Sequence, residues 1–482
     1  MTADQPIDVQ RFIDARGLSH VQVLLLVLCF LVVALDGFDT IAIGFIAPAI
    51  RAEWGATPAQ LAPLFGAGLF GLMIGAFAFG PLADRLGRRA ILALTVLFFG
   101  VASLASALAP SIGMLTLLRF VTGLGLGGAL PNAITLTSEY SPEGRRSSLV
   151  MIMFSGFALG AALSGVASAH LIAAYGWRSV LVLGGVLPLL LAPVLWVILP
   201  ESVLFLVIRG DRDARVAATL RRVAPDAVIP AGARFVGAGR PEKLPVGELF
   251  RRDLRMGTLI LWLTFFMSLL FFYLLGNWLP TLLHSTGVSL RTASLVTALF
   301  YTGGVLGGVT LGRIMDKSDP HRVLGVTYAL AGAFIIALGN LATVPWLVAP
   351  AVFGAGFCTG GCQIGIHAVA AAYYPTTSRA TGVGWASGVG RLGSVLGSML
   401  GGVLLSPGRQ LSTILAIVAV PAFVAAASML AMGRREIVIH EYRYDNAWRA
   451  RQKEGLTDVD RRRRQRHDRI PVRRDPRPDD LR

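Results

Sequence analysis

Long apolar runs, each separated from the next by a short polar stretch, repeat along most of the chain. Twelve of them reach about twenty residues or more, which is enough for an α-helix to cross a ~30 Å hydrocarbon core. These runs cover residues 21–47, 60–80, 90–109, 112–138, 148–172, 179–199, 257–279, 294–314, 323–341, 345–372, 380–404 and 411–432. The pattern predicts an all-α polytopic membrane protein with 12 transmembrane helices.

Composition agrees with this prediction and excludes an ordinary soluble enzyme. Of the 482 residues, 54% are hydrophobic and 15% are charged, whereas about 25% charged residues is typical of soluble domains. The three cysteines, Cys29, Cys358 and Cys362, all lie in apolar runs. They predict neither a disulfide framework nor a zinc site, and we expect no cofactor and no metal.

The basic residues indicate how the chain is oriented in the membrane. If the N-terminus is cytoplasmic, 38 of the 44 Lys and Arg residues fall in cytoplasmic segments. By the positive-inside rule, both termini are then cytoplasmic. The net charge of +16 is therefore mostly a topology signal. We expect the basic tail, including 461–464, to contact an anionic lipid surface rather than nucleic acid.

Two motifs recur at a nearly constant offset and divide the chain into halves. Residues 80–85 and 312–317 both follow the pattern G-x-x-x-D-[RK], and the Tyr–Pro–Arg pattern of 140–146 returns at 373–379. The repeat predicts two six-helix halves of the same orientation. A substrate would then bind near the bilayer midplane between them.

This division sets the expected domain boundaries. We predict a cytoplasmic N-tail at 1–20, without a cleavable signal peptide, and an N-terminal six-helix bundle at 21–200. A cytoplasmic central loop follows at 201–256, then a C-terminal bundle at 257–432 and a basic cytoplasmic tail at 433–482.

Ionisable residues inside apolar spans are functional candidates, because a charge in the bilayer centre costs several kcal/mol. Asp36 and Asp39 lie in the first span at a spacing of i,i+3 and share a helix face. Two carboxylates that close repel each other, so one is expected to take up a proton readily, which suits a proton carrier. The alternative is a structural pair neutralised by an arginine on another helix.

Two arginines also lie within spans. Arg119 precedes glycines at 123, 125, 127 and 128, which favour close helix contact. It is a candidate for coupling or substrate binding, or for a static ion pair with Asp36 or Asp39. Arg391 lies among small residues, where its guanidinium could fork onto a carboxylate. We predict that Arg391 anchors an anionic substrate; the alternative is an interhelical latch.

Three further ionisable groups carry weaker signals. Glu139, near Pro142 and Arg146, is expected to join a cytoplasmic salt-bridge network rather than the transport path. His367 and His284 are interpreted as packing residues, with proton handling as the less favoured alternative.

The segment 80–89 resembles the signature between helices 2 and 3 of the major facilitator superfamily. The resemblance implies a conformational latch, in which Asp84, Arg85 and Arg88 are gating residues. Asp316 is the corresponding acidic residue of the second copy. The alternative for the arginines is simple anchoring at the cytoplasmic surface.

Five patches together are similar to the aromatic acid:proton symporter family of that superfamily. They are residues 35–39, 80–89, 199–202, 277–280 and 374–393. The resemblance implies import of an aromatic carboxylate, such as 4-hydroxybenzoate or protocatechuate, with a proton. It also implies a bacterial inner membrane protein, which we expect to function as a monomer. One departure is Gly397 followed by Ser398, where the family pattern suggests Gly-Pro.

The resemblance and the charges together suggest a cycle. A proton binds the Asp36/Asp39 pair, and the substrate carboxylate docks on Arg391, helped by Arg119. Three aromatic side chains could stack on the substrate ring, with ordinary helix packing as the alternative: Phe38, Tyr301 and Trp385.

Other functions remain open at this stage. They are a proton-coupled exporter or sugar-type porter of the same fold, and a transporter-like sensor that signals through its tail. A membrane enzyme is disfavoured, because the spans show no nucleophile–base or metal-ligand spacing.

Deletion of residues 434–482 tests the sensor hypothesis. A pure carrier should keep its rate of radiolabelled aromatic-acid uptake, normalised to the amount of protein in the membrane, because the substrate path lies in the spans. A loss of uptake at an unchanged amount of protein in the membrane would contradict a pure carrier and favour a role of the tail.

Overall fold

The computed structural model describes residues 6–210, 213–224, 229–230, 233–236, 245–252, 254–341, 345–375, 378–405 and 409–434. The chain divides into two units, Met1–Met429 and Leu430–Arg482. The first unit contains the helical bundle. In the second unit, the described residues 430–434 are helical, and most of the predicted basic tail lies outside the described residues.

Each of the twelve predicted spans coincides with one long helix. These are α2 His20–Trp54, α3 Pro58–Leu86, α4 Arg88–Ala107, α5 Ile112–Glu139, α6 Arg146–Tyr175, α7 Arg178–Ile198, α10 Arg255–Ser285, α11 Leu290–Met315, α12 Pro320–Leu341, α13 Pro345–Tyr373, α14 Arg379–Leu404 and α15 Leu411–Arg434. Eleven are long and apolar enough to cross a membrane. The other, α14, has 26 residues but contains eight glycines, which lower its hydropathy. The predicted fold class is confirmed.

The two halves repeat the same helix pairings. In the first half α2 packs on α6 and α3 on α5, and in the second half α10 packs on α14 and α11 on α13. Glycines make these contacts possible. A Cβ at Gly71 or Gly75 of α3, or at Gly123 or Gly127 of α5, would run into the backbone of the facing helix. The glycine run after Arg119 therefore forms the close contact that its spacing predicts.

A small subdomain joins the N-tail to the central loop. It contains β1 Ile7–Asp8, α1 Val9–Asp14, α8 Val203–Ile208, α9 Asp213–Val223 and β2 Phe235–Val236. The two strands pair in parallel, and apolar side chains of these elements join the hydrophobic core of the first half. From the sequence we expected two separate polar segments, although the apolar residues Val216, Leu220 and Val223 of α9 already recur at helical spacing.

We call the end of the bundle that carries this subdomain the loop end, and the opposite end the far end. At the far end the two halves touch. A Cβ at Gly44 of α2 would lie 2.8 Å from the carbonyl oxygen of Asn277 on α10. A Cβ at Gly402 of α14 would lie 2.5 Å from Cβ of Ala62 on α3. The far end is therefore closed by contacts too tight for larger side chains.

Towards the loop end, glycines of the same two helices, α3 and α14, have no close neighbours. Gly384 lies on the same face of α14 as Gly402, about five turns away. A Cβ at Gly384, or at Gly80 near the end of α3, would meet nothing within 4 Å. Contacts between the halves thus close the far end and leave space at the loop end.

We expect Gly44→Leu to open the far end, because the added side chain cannot fit against the backbone of Asn277. The measurement is labelling of an introduced Ala62→Cys by a membrane-impermeant maleimide, against the background of the three buried native cysteines. Labelling should accelerate. Gly113→Leu is the control, since a Cβ there meets nothing within 4 Å. Equal labelling rates in both variants would contradict the predicted role of the Gly44 contact.

Candidate functional site

Asp39 of α2 and Arg119 of α5 form a buried ion pair inside the first half. Arg119 donates from Nη1 to Oδ1 at 3.1 Å and from Nη2 to Oδ2 at 2.5 Å. Ser103 of α4 donates a further hydrogen bond to Oδ1 at 2.8 Å. The two side chains are 1% and 2% exposed. Of the alternatives for Arg119, this geometry matches the ion pair with Asp39.

Asp36 has a different environment, although it lies one turn from Asp39. Its Oδ1 accepts a hydrogen bond from Thr40 at 3.1 Å, and its buried Oδ2 has no hydrogen-bond partner in the described part of the chain. A proton can be added at Oδ2 without breaking a hydrogen bond. The two aspartates therefore do not act as an equivalent pair: Asp39 has an arginine partner, and Asp36 does not.

Arg391 approaches Asp36 from the second half. It lies within electrostatic range of Asp36 on α2, Tyr273 on α10 and His367 on α13. Within the described ranges, no carboxylate lies at ion-pair distance from Arg391. The side chain is half-buried. The structure thus brings a guanidinium from one half and a carboxyl group from the other to a common region between the halves.

A narrow cavity extends beside this region, between α2, α3, α5 and α10. Its polar lining comes from Thr40, Arg119 and Asn277, and the remaining lining residues are apolar or glycine. Asn277 is 3% exposed, and its Nδ2 donates to Oγ of Ser398 at 2.8 Å. In the sequence, Asn277 contributes only to a family resemblance and does not stand out as a site residue. Its position in the cavity had no local signal, since it depends on how α10 packs against α2.

The three aromatic candidates do not line this cavity. The ring of Phe38 packs towards Gly184 of α7, inside the first half. Trp385 is 47% exposed and stacks on Trp262 at a centroid distance of 6.0 Å. Tyr301 is buried in an aromatic cluster, and its hydroxyl has no partner among the described residues. That cluster consists of Tyr301, Phe45, Phe272, Phe300 and Tyr273.

Three of the five predicted gating residues, Asp84, Arg88 and Glu139, meet at the loop end of the first half. Arg88 lies 3.4 Å from Asp84 and 3.3 Å from Glu139. Glu139 thus lies in a salt-bridge network with Arg88 as its partner. Arg85 and Asp316 are exposed.

Glu201 is a member of this network that the sequence analysis did not identify as a site residue. Its Oε1 accepts the backbone N–H of Arg88 at 2.8 Å and of Arg89 at 3.1 Å. It thereby caps the beginning of α4. Ser202 next to it donates a hydrogen bond to Glu139. The position of Glu201 directly after Leu199–Pro200, where α7 has ended, could have indicated such a role from the sequence.

The described part of the chain contains twelve long helices in two repeats, with charged groups buried inside the bundle and one end closed, an arrangement typical of a membrane transporter. The family model described as Major Facilitator Superfamily matches residues 29–282 and 261–443. The chain is 46% identical to a gallate transporter of Pseudomonas putida, over 90% of this chain and 97% of that protein. It is 47% identical to the 4-hydroxybenzoate transporter PcaK of Pseudomonas putida, over 89% and 96%.

A solved structure shares the fold. The inward open conformation of the xylose transporter XylE from E. coli aligns with a TM-score of 0.68 at 16% identity, over 85% of this chain and 95% of that one. The chain belongs to the major facilitator superfamily and, within it, to the aromatic acid transporter family. It is a multi-pass membrane transporter and not an enzyme.

We expect Asp39→Asn to destabilise the protein more than the double variant Asp39→Asn/Arg119→Gln. Removing one partner of a buried pair leaves the other charge unpaired, at a cost of about 3–5 kcal/mol. The measurement is the thermal unfolding temperature in detergent for both single variants and the double variant.

The exposed pair of Glu53 and Arg178, at 2.7 Å, provides the control. Such pairs contribute at most about 1 kcal/mol, so Glu53→Gln should change the unfolding temperature much less. If both pairs showed the same small effect, the Asp39–Arg119 pair would not have the structural role described above.

Proposed function

We propose that the protein imports an aromatic carboxylate of the 4-hydroxybenzoate and gallate type together with a proton. One observation carries this proposal: two incompletely paired groups face each other across the halves. Arg391 has no carboxylate partner among the described residues, and Asp36 has a carboxyl oxygen without a hydrogen-bond partner. One group suits an anion and the other suits a proton. The names of the two relatives support the aromatic class of substrate.

The proton site in this proposal is Asp36 rather than Asp39. Ionised Asp39 accepts hydrogen bonds from Arg119 and Ser103, so protonating it would disrupt a buried ion pair. Asp36 has only Thr40 as a donor. Its proximity to Arg391 also supplies the coupling, because a bound substrate anion would screen the arginine charge that acts on Asp36.

The substrate carboxylate would bind Arg391. Both Nη atoms of Arg119 already donate to Asp39, whereas Arg391 can offer two parallel N–H groups to an incoming carboxylate. Arg119 then acts as a fixed part of the first half. Among the aromatic candidates, Tyr301 remains the one positioned between α2 and α10, through its contacts with Phe45 and Phe272.

Proton coupling also meets the electrical requirement of import. A carboxylate is anionic at neutral pH, so a membrane potential that is negative inside opposes its entry by about 2.3 kcal/mol per 100 mV. Movement of one proton with the anion cancels this transfer of charge. The pH gradient can then drive accumulation.

The closed far end and the spacing at the loop end correspond to one state of an alternating-access cycle. We assign the loop end to the cytoplasm of a bacterial inner membrane, following the distribution of basic residues. The network of Asp84, Arg88, Glu139 and Glu201 would act as the latch that changes as the halves rock. Because one chain supplies both halves of the site, a monomer suffices.

Uptake of a radiolabelled panel tests the substrate and the coupling. Cells that express the protein should accumulate 4-hydroxybenzoate, protocatechuate or gallate, and a protonophore should abolish accumulation. Cells with an empty vector are the control. Failure of every acid to enter would overturn the substrate assignment, and accumulation that resists the protonophore would overturn proton coupling.

Two substitutions separate the proton site from the anion site. Asp36→Asn should abolish accumulation driven by a pH gradient but keep exchange of labelled for unlabelled substrate, because the anion site is intact. Arg391→Gln should raise the KM of both processes by about tenfold or more. Measurements in proteoliposomes, with Glu53→Gln as the control, distinguish the two; gradient-driven accumulation by Asp36→Asn would contradict the assignment.

A further inference from the structure

We propose that the side-chain carbonyl of Asn277 selects for substrates with a ring hydroxyl para to the carboxylate. Asn277 would accept a hydrogen bond from this hydroxyl, and Ser398 would hold the amide in the required orientation. This inference rests on the proposed function and extends it from aromatic acids in general to one substitution pattern on the ring.

The side-chain oxygen of Asn277 is an unsatisfied hydrogen-bond acceptor. Oδ1 of Asn277 is buried and has no hydrogen-bond partner in the described part of the chain. The amide nitrogen Nδ2 donates to Ser398 Oγ at 2.8 Å, which leaves Oδ1 as the unpaired atom of the amide. Buried amide oxygens are rarely left unpaired in native proteins. Since Asn277 lines the cavity, a group that enters the cavity can supply the missing donor.

Arg119, which also lines the cavity, has an unsatisfied donor. Nε of Arg119 is buried without a hydrogen-bond partner, although both Nη atoms of this guanidinium donate to Asp39. A hydroxyl group donates one hydrogen bond and also accepts, whereas a carboxylate only accepts. In the proposed complex, one phenolic hydroxyl donates to Asn277 and accepts from Arg119.

Arg391 and Ser398 lie about two turns apart on α14. Ser398, which positions Asn277, follows Arg391 by seven residues, so the two lie on one face about 10 Å apart along the helix axis. The proposal places the benzene ring between these two levels, with its carboxylate at Arg391, its hydroxyl at Asn277, and one hydrogen bond at each end. A hydroxyl at the meta position would point away from this axis.

Ser398 also explains why the arrangement belongs to this particular sequence. The family resemblance suggests proline at this position, and proline has no side-chain hydroxyl to accept from Asn277. In this chain α14 continues as a helix through Ser398. The Ser398 carbonyl oxygen accepts a second bond, from Nε1 of Trp278, at 2.7 Å. Two hydrogen bonds thus connect α10 to α14 at Ser398.

The test compares three acids in proteoliposomes: benzoate, 3-hydroxybenzoate and 4-hydroxybenzoate. Each is measured as an inhibitor of labelled 4-hydroxybenzoate exchange. Asn277→Leu removes the acceptor and should weaken 4-hydroxybenzoate binding by about tenfold or more. The constant for benzoate, which lacks the hydroxyl, should change by less than about twofold. Ser398→Ala leaves the amide unrestrained and should reduce the same preference by a smaller factor.

Asn132→Leu is the matched control. Asn132 is also buried, but its Nδ2 donates to Gly128 of its own helix, and it does not line the cavity. It should leave the ratio of the constants unchanged. If Asn277→Leu weakened all three acids equally, or left the preference for 4-hydroxybenzoate intact, the inference would be overturned. Should the unsubstituted protein bind none of the acids, the proposed function itself would fail.

Discussion

The structure depends on one constraint, which is that a charge inside a bilayer-spanning bundle must have a partner or a function. In the first half, Arg119 neutralises Asp39 and Ser103 completes the hydrogen bonds of the carboxylate. This pair accounts for one aspartate and one arginine. The remaining groups, Asp36 and Arg391, lie on opposite halves and have no such arrangement. The contrast between these two environments separates a structural pair from candidate transport groups.

Close helix contacts keep these charges in place. Glycines of α3 and α5 allow their backbones to touch directly after Arg119, at Phe120 and Gly123. Glycines also allow the halves to meet at the far end, at Gly44 and Gly402. Contacts that depend on the absence of a Cβ are tight but need few interlocking side chains. In the proposed alternating-access cycle, the contacts at Gly44 and Gly402 separate when the halves rock, and the helix pairs inside each half remain.

The loop end shows how the first half is stabilised outside the membrane. Glu201 caps α4 while Arg88 connects Asp84 to Glu139, so α3, α4, α5 and the end of α7 meet in one polar network. The N-tail subdomain adds hydrogen bonds to the same region. Gln22 donates to the Tyr140 carbonyl at 2.7 Å, and the backbone N–H of Glu143 donates to Asp14 at 2.8 Å. These contacts connect α1, α2 and the end of α5 at the loop end.

The sequence alone determined the features that depend on the bilayer and on local pattern. A span must be long and apolar, so the twelve helices and their approximate boundaries could be predicted. The repeated motifs revealed the two halves. Glu139 could be assigned to the loop-end network because it follows a complete span. The aromatic acid family could be recognised from motifs around Asp36 and Arg391.

Only the tertiary structure decided which groups meet. Asp36 and Asp39 look equivalent in sequence, and their difference arises from the rotation of α2 against α5. The same rotation directs Phe38 towards α7, away from the cavity. Asn277 lies in the cavity because the backbone of α10 crosses α2 at Gly44. Helix rotation and crossing are set by contacts over the whole bundle, and no local stretch of sequence encodes them.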